Sequence, residues 1–295
     1  MANTKELRRR ISSFQNTRKI TKAMEMVSAA RLRRAQQRIE STRPYVIRMS
    51  EFIAGLANNL QFDPNRFPLL KEHEEVKRVA VVALTADRGL AGAFNANIVR
   101  LTNERLRAYQ AEGVDVDLIT VGKKGVSTFR FQNRKLAAVY TDVTDRPAFS
   151  DAQAVAHRVA ELYTSEQVDR VHLVYNQFKS AMEQRPVDQV LLPIQEEIVG
   201  TYLPSDASLH MDFLFEPAAP IILDELLPNF VEMTVFRALL ESTASEHGAR
   251  MTAMRNASES AGEMIDSLTL LMNRIRQASI TQEILEVVAG ADALE

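Results

Sequence analysis

Three groups of residues in this 295-residue sequence are of types that can carry chemistry: a glycine-containing turn, five histidines and several pairs of adjacent carboxylates. The turn, Asp87–Gly92 (DRGLAG), follows the apolar run Arg78–Thr85, where a nucleotide-binding α/β domain places its phosphate loop. It matches neither GxGxxG nor GxxxxGK[ST], so the glycine fingerprint of a phosphate site fails. The pattern favours a tight strand-to-helix turn in which Arg88 makes a structural contact.

The histidines and carboxylates do not form a catalytic or metal-binding pattern. The histidines lack HExxH spacing and a clustered carboxylate partner, which favours surface or internally satisfied positions; they are His73, His157, His172, His210 and His247. Adjacent acidic residues, such as Glu74 and Glu75, diverge by about 100° on a helix and need not share a site. The absence of cysteine excludes disulfides, thiolate metal sites and thiol catalysis in this chain. The sequence therefore predicts no active site, metal or cofactor.

Charge is distributed unevenly, although the formal net charge is only −2. The first 50 residues hold 13 Lys and Arg against three Glu, whereas Glu232–Val288 holds eight acidic and five basic residues. At 100° per residue the cations of the first segment fall on all sides of a helix, so they form no single stripe for a phosphate backbone. This favours a helix surrounded by acidic protein surfaces. A basic coiled-coil protein that binds nucleic acid remains the alternative.

The chain divides into three predicted parts: a first helical segment (1–66), a central α/β domain (67–206) and a last helical segment (207–295). In both terminal parts apolar residues recur at steps of three and four, which predicts long helices. Pro44 is expected to bend the first helix, and Pro228 to kink or restart the second. The apolar groups are Leu7, Ile11 and Phe14; Ile20, Met24 and Val27; Met49, Ile53, Leu56 and Leu60; Val231, Val235 and Leu239; and Ala261, Ile265, Leu268, Met272 and Ile275.

In the central part, short β-branched runs alternate with helical patterns. The predicted strands are 78–85, 116–121, 136–141, 170–178 and 186–193, and the predicted helices are 95–111, 123–131 and 150–165, the last with Ser150 as its cap. Strands that alternate with helices predict a doubly wound, mostly parallel sheet of the Rossmann-like type.

The length of the terminal helices decides how they are arranged. About 60 helical residues span about 90 Å, whereas a compact chain of this length has a diameter of about 50 Å. The helices therefore cannot fold inside such a globule, and we expect them to pair as an antiparallel coiled coil. The predicted fold class is α/β, with a central sheet domain and a shaft made by the N- and C-terminal helices.

Several segments resemble the gamma subunit of F-type ATP synthase, in the order in which that family carries them. The resemblance extends from Ala2 to Ala289 and rests on motifs at both ends and in the centre. These motifs are Gln15–Thr17 with Ile20–Ala30, then Asp87–Gly92, then Ala244–Met251, and finally Arg276–Glu283.

The resemblance implies a non-catalytic rotor subunit of a proton-translocating ATP synthase. Its paired helices would turn inside a ring of three alpha and three beta subunits, whose beta subunits carry out the nucleotide chemistry. Its α/β domain would stand near the membrane, against the epsilon subunit and the ring of c subunits. The implied location is peripheral, on the cytoplasmic side of a bacterial plasma membrane. Without the resemblance, a nucleotide-binding α/β enzyme with helical arms would be a further alternative.

Five residues match family positions for contact with the beta subunits and for coupling. Met24 matches the position where the N-terminal helix meets a beta-subunit loop, and the other four lie on the C-terminal helix: Arg250, Gln277, Thr281 and Glu283. Taken alone, each is an ordinary coiled-coil residue. Ala91 stands where some members have Cys, and a chain without cysteine cannot hold the cysteine-bearing redox insert of chloroplast members.

Overall fold

The computed structural model describes residues 4–59, 66–195 and 219–292. Long helices occupy both ends of the chain, α1 (Thr4–Asn59) and α5 (Ala219–Asp292). The elements between them are β1 (Arg78–Leu84), α2 (Phe94–Ala111), β2 (Asp115–Val121), α3 (Lys123–Phe131), β3 (Leu136–Tyr140), α4 (Phe149–Thr164), β4 (Arg170–Phe178) and β5 (Gln184–Leu192). The chain forms two compact units: a helix-pair unit (Met1–Ser28 with Arg250–Glu295) and a sheet unit (Ala29–Ala249).

The sheet has the strand order β3-β2-β1-β4-β5. Three of its pairings are parallel, and only β4 and β5 pair antiparallel. The prediction of a mostly parallel sheet is confirmed, and the predicted strand ends agree with the observed ones to within two residues. Continuous apolar runs mark strands that are covered on both faces, and β1 is buried at every residue after Arg78.

Alternate residues of β1 supply two separate cores, because successive side chains of a strand point to opposite faces. Ala80, Val82 and Leu84 pack in one cluster with buried residues of α1, α4 and α5. Val79, Val81 and Ala83 pack in the other, with buried residues of α2 and α3. In the sheet unit, α4 and segments of both long helices therefore cover one face of the sheet, and α2 and α3 cover the other.

One stretch of α5 is buried on all sides within the sheet unit. Every residue from Phe230 to Gly248 is buried except Arg237, which is half-buried. The stretch is poor in large apolar residues after Leu240 and packs closely through small ones: a Cβ on Gly248 would lie 3.3 Å from the carbonyl oxygen of Ala181. Small side chains thus let neighbouring backbone approach this part of the helix.

In the helix-pair unit, α1 and α5 pack along a seam spaced as in a coiled coil. The buried or half-buried seam residues follow steps of four, three or seven: Leu7, Ile11, Phe14, Thr21, Glu25 and Ser28 on α1, and Met254, Ser258, Ala261, Ile265, Leu268, Met272 and Ile275 on α5. Glu25 pairs with Arg255, and Arg18 lies over Gly262. Residue numbers therefore decrease along α1 as they increase along α5, which shows that the two helices are antiparallel. The predicted antiparallel coiled coil is confirmed.

The apolar group Ile20, Met24 and Val27 does not form the seam. Ile20 and Val27 are 61% and 53% exposed, while the seam at this level consists of Thr21, Glu25 and Ser28. The hydroxyl of Ser28 donates to the carbonyl of Met24 at 2.7 Å, so it can be buried without a partner on the other helix. The apolar residues are left on the outer surface of the pair.

Two local expectations need correction: the restart of α5 at Pro228 and the capping of α4 by Ser150. Pro228 does not restart α5, which is assigned as one helix through that position. An interior proline costs about 3 kcal/mol, but Leu227, Phe230 and Val231 beside it are buried, and each such side chain contributes about 1.5–3 kcal/mol. Ser150 does not cap α4 either, because the helix begins at Phe149 and Asp151 accepts the backbone N–H of Ala148.

Candidate functional site

Met24 lies half-buried beside a groove on the helix pair. The groove is lined by Gln15, Arg18, Lys19, Lys22, Ala23, Glu25, Met26, Arg255, Ser258, Glu259 and Ile265. The lining contains four cationic side chains and two carboxylates, Glu25 and Glu259. Glu25 is already paired with Lys22 and Arg255. The groove therefore offers an excess of positive charge beside the apolar side chains of Ala23, Met26 and Ile265, which suits a carboxylate-bearing segment of another protein.

Glu25 is the main link between the two helices at this level. Lys22 Nζ lies 3.0 Å from its Oε2, and Arg255 Nε lies 3.1 Å from its Oε1. The hydrogen bond from Lys22 is the largest influence on the Glu25 pKa, and with Arg255 it lowers that pKa although burial acts in the opposite direction. Both carboxylate oxygens are thus committed to cations.

Acid is expected to weaken the helix pair through Glu25. Because its pKa is lower in the folded chain than the ordinary 4.5, its stabilising contribution is complete above about pH 4.5 and is lost as the pH falls through the folded value. Thermal unfolding of the chain and of Glu25→Gln, followed from pH 7 to pH 3, should show the stability gap between them closing by about 0.5 kcal/mol. A gap that stays constant over this range would contradict the assignment.

The other four predicted site residues lie on α5 and do not meet Met24 in one pocket. Arg250 is buried, whereas Gln277, Thr281 and Glu283 are exposed. The hydroxyl of Thr281 donates to the carbonyl of Gln277 at 3.0 Å, within the helix. The 27 residues from Arg250 to Gln277 correspond to about 40 Å of helix. The five residues therefore mark two separate levels of the helix pair.

The end of α5 has an apolar surface that nothing in the described residues covers. Every residue from Thr281 to Gly290 is exposed. Five large apolar side chains belong to this region, each between 48% and 73% exposed: Ile280, Ile284, Leu285, Val287 and Val288. Contiguous apolar residues of this kind mark a surface that is covered by a partner.

The turn after β1 is held by the carboxylate of Asp87. Its Oδ1 accepts the backbone N–H groups of Lys123 and Asp142, both at 3.0 Å. Its Oδ2 accepts the N–H of Thr144 at 3.0 Å and the hydroxyl of the same residue at 2.9 Å. Burial raises the pKa of Asp87, but these hydrogen bonds outweigh burial and hold the pKa below its ordinary value.

This arrangement closes the place where a nucleotide phosphate would bind. The first N–H groups of α3 point at the carboxyl edge of the sheet, where helix N-termini bind phosphate in nucleotide-binding domains. All three N–H groups donate to residues that directly follow β1. The N–H of Lys123 donates to Asp87 Oδ1, that of Lys124 to the Ala86 carbonyl and that of Gly125 to the Thr85 hydroxyl. The geometry therefore argues against the alternative of a nucleotide-binding enzyme, and Arg88 makes the structural contact that was expected, 3.4 Å from Asp145.

The buried histidine of β4, His172, has carboxylate and phenol partners that its sequence neighbours do not indicate. His172 Nδ1 lies 2.7 Å from Asp188 Oδ1, and its Nε2 lies 2.7 Å from the Tyr109 hydroxyl. Arg105 also binds Asp188. Burial raises the pKa of Asp188, but the bonds from His172 and Arg105 hold it below its ordinary value. The expectation of a satisfied histidine is confirmed, and the expectation that it has no carboxylate partner is wrong.

His157 likewise lies 2.7 Å from the buried carboxylate of Glu232, so it too has an acidic partner. Among residues 4–59, 66–195 and 219–292, no group of His, Asp and Glu has the arrangement of a metal site. His210 lies outside the described residues. In the same part of the chain, no helix is long and apolar enough to cross a bilayer.

Comparison with known proteins places this geometry in a family. A family model described as ATP synthase matches residues 3–294. The chain is 45% identical to the ATP synthase gamma chain of Moorella thermoacetica and 41% identical to that of Gloeothece citriformis, in each case over the full length of both chains.

Solved structures are similar as well. The central stalk of the Tetrahymena thermophila mitochondrial ATP synthase is 29% identical, with a TM-score of 0.62, over 81% of this chain and 99% of that one. The rotor of the Euglena gracilis mitochondrial enzyme, 21% identical, matches the fold with a TM-score of 0.64 over 94% of this chain and 98% of that one.

Proposed function

The chain belongs to the family of ATP synthase gamma chains, and we propose that the outer surface of its helix pair carries the contacts that couple rotation to nucleotide turnover. As a gamma chain it is the central rotor subunit of an ATP synthase and is itself non-catalytic, since catalysis takes place on the beta subunits. Its partners are the alpha and beta subunits of the catalytic head, the epsilon subunit and the c-subunit ring. No relative supports the alternative of a nucleic-acid-binding protein.

The observation that carries this proposal is the exposed apolar end of α5. A rotor end that turns inside a ring of subunits needs a non-directional contact, because fixed hydrogen bonds would have to break at each step. Ile284, Leu285 and Val288 supply such a contact. We assign the enclosing surface to the alpha and beta subunits, which would act as an apolar bearing.

Polar and charged residues that precede this apolar end on α5 would distinguish one rotary position from another. We assign this role to Gln277, Thr281 and Glu283, whose side chains are exposed. Met24 and Arg250 belong to a second level of contact with the beta subunits. The positive groove beside Met24 fits acidic beta-subunit segments, whose carboxylates would gain charge-assisted bonds with Lys19 or Lys22.

We further propose the domain limits 1–66, 67–206 and 207–295, with the central α/β domain directed towards the epsilon subunit and the c ring. The subunit is part of a membrane-bound complex through its partners. We place it on the cytoplasmic side of a bacterial plasma membrane, where it couples proton flow to ATP synthesis or hydrolysis.

The substitution Met24→Lys tests the coupling role. A cation added beside Lys22 would pair with a beta-subunit carboxylate, and a charge-assisted bond is worth about 1.5–3 kcal/mol. One rotary position would then be favoured over the others, so we expect assembled complexes that still hydrolyse ATP but pump fewer protons per ATP. Acidification of membrane vesicles measured beside ATPase activity gives this ratio.

Met182→Lys is the matched control, because Met182 is 84% exposed in the turn between β4 and β5, outside the helix-pair unit. This control should leave the ratio unchanged. An unchanged ratio in Met24→Lys as well would remove Met24 from the coupling surface.

A further inference from the structure

A single loop of the sheet unit, residues 142–148 after β3, makes polar contacts with both long helices. Its first half is fixed by Asp87. The carboxylate accepts the N–H groups of Asp142 and Thr144 and the hydroxyl of Thr144, and the Asp87 N–H donates to that hydroxyl at 2.8 Å. Thr144 is 6% exposed, so its own bonds with Asp87 are largely shielded from water. The loop is thereby tied to the end of the central strand.

The second half of the loop binds α1 at two points two turns apart. Arg31 donates to Asp145 at 2.6 Å, and Arg38 donates to the carbonyl of Pro147 at 2.7 Å. Arg88, from the turn after β1, lies 3.4 Å from the other oxygen of Asp145. Asp145 therefore joins α1 to the loop and, through Arg88, to the β1 end.

The same loop also binds α5. The hydroxyl of Thr243 lies 3.0 Å from the carbonyl oxygen of Thr144 and 2.8 Å from that of Leu239, one turn earlier in its own helix. Thr243 is buried in the enclosed stretch of α5. Thr144 thus uses its N–H and hydroxyl towards Asp87 and its carbonyl towards α5.

We propose that the 142–148 loop is the joint that holds the α1 and α5 segments of the sheet unit at a fixed angle to the sheet, with Asp87 as its positioning residue. The proposal rests on the proposed function, because the angle matters only in a subunit that transmits rotation. Asp87 contacts neither helix and acts through Thr144 and Asp145.

The physical argument compares two kinds of contact between the helices and the sheet. Val46, Met49 and Leu239 pack against the sheet in its main core. Such packing resists separation but is non-directional, so it opposes rotation of a helix about its own axis less strongly. Hydrogen bonds have preferred angles and weaken steeply when bent. The directional bonds from Arg31, Arg38 and Thr243 all end on the loop, whereas the Ser245 hydroxyl of α5 donates to the Asn176 carbonyl of β4 at 3.1 Å. The rigidity of the loop therefore contributes to the angular stiffness of both helix segments, and α5 is also held directly by β4.

The test uses the assembled ATP synthase with Asp87→Asn. The amide group replaces one acceptor oxygen by a donor, which leaves two of the four hydrogen bonds unmade. The matched control is Asp169→Asn at the opposite edge of the same sheet. There one carboxylate oxygen accepts the N–H groups of Lys77 and Arg78 at 2.7 and 2.8 Å and contacts neither long helix.

Two measurements are made on each complex. Amide hydrogen exchange should be about tenfold faster, or more, at Asp142 and Thr144 in Asp87→Asn and unchanged there in the control. A bead attached through Phe131→Cys, an 88% exposed position at the end of α3, reports angular fluctuation of the sheet while the catalytic head is immobilised and stalled. We expect a broader angular distribution in Asp87→Asn than in the parent and in Asp169→Asn.

Thr243→Val keeps the side-chain shape and, of the bonds that the loop makes, removes only the one from α5. This variant provides the test if Asp87→Asn fails to assemble. The proposal would be overturned if the angular distribution of the bead were as narrow in Asp87→Asn and Thr243→Val as in the parent. It would also be overturned if Asp169→Asn broadened that distribution equally. Failure of the proposed function is seen separately, since the parent complex would then show no ATP-driven rotation of the bead.

Discussion

Removal of α5 from Gln277 onward is expected to abolish ATP-driven proton pumping. This deletion takes away the exposed apolar end together with Gln277, Thr281 and Glu283, and so both the bearing surface and the polar contacts proposed to distinguish rotary positions. The seam from Met254 to Ile275 remains, so the helix pair itself can still form. Proton pumping in membranes that carry a series of truncations measures the loss.

Deletion of Gly290–Glu295 alone is the control for this series. These residues follow the exposed apolar group that ends at Val288. We expect near-normal pumping at this point and a progressive loss as the deletion passes through Glu283 to Gln277. Complete loss from the short deletion, or full pumping in the longest, would contradict the role given to the end of α5.

Gly122→Ala is expected to unfold the sheet unit or to destabilise it by about 4 kcal/mol or more. Gly122 links β2 to α3 with φ +97°, a conformation that side chains disfavour. A Cβ there would lie 2.3 Å from the Thr85 carbonyl oxygen and 2.8 Å from its hydroxyl. The backbone of β1 cannot move away without losing the bonds that hold the N-terminus of α3.

Gly113→Ala separates conformational strain from this collision. Gly113 also has positive φ, +76°, but nothing lies within 4 Å of a Cβ built on it. Its substitution should cost only about 1 kcal/mol. Thermal unfolding of both variants beside the parent provides the comparison, and equal shifts would show that the close approach to Thr85 is unimportant.

The sheet could be predicted well from sequence because its signals are local. The run Val79–Leu84 is apolar without a break, as a strand covered on both faces requires. The strand Arg170–Phe178 and the helix Lys123–Phe131 are observed with the predicted limits. Each of these segments is bounded by turn residues, so period and length suffice to identify it.

The seam of the coiled coil could be predicted only in part, because its middle is polar. Hydrophobic spacing selected Ile20 and Val27, whereas the buried residues are Thr21, Glu25 and Ser28. Hydrophobic spacing does not indicate that Glu25 is neutralised by Arg255, because the two residues lie far apart in the sequence. The exposed apolar residues at this level face outward, consistent with a helix pair that has partners of its own.

The candidate site could likewise be predicted only in part from the sequence. The resemblance to the family predicts Met24 and four residues of α5 as contact residues, but it does not indicate the role of Asp87. That role depends on Thr144, 57 residues later, and on helix contacts up to 114 residues apart. Hydrogen bonds between side chain and backbone leave no periodic trace in a sequence. Only the fold brings these groups together.

The pairing of Glu25 with Arg255 has a consequence for how the protein is made. The two residues are 230 positions apart, and ribosomes add about 5–20 residues per second. The partner of α1 therefore emerges about 10 to 50 s after α1 itself. Until then a strongly cationic segment has no helix to pair with, and it lacks the packing that supplies most of the stability of helices in proteins. Completion of the pair is thus a late step in biogenesis, and a nascent chain that stops before α5 exposes the basic segment to polyanions and to aggregation.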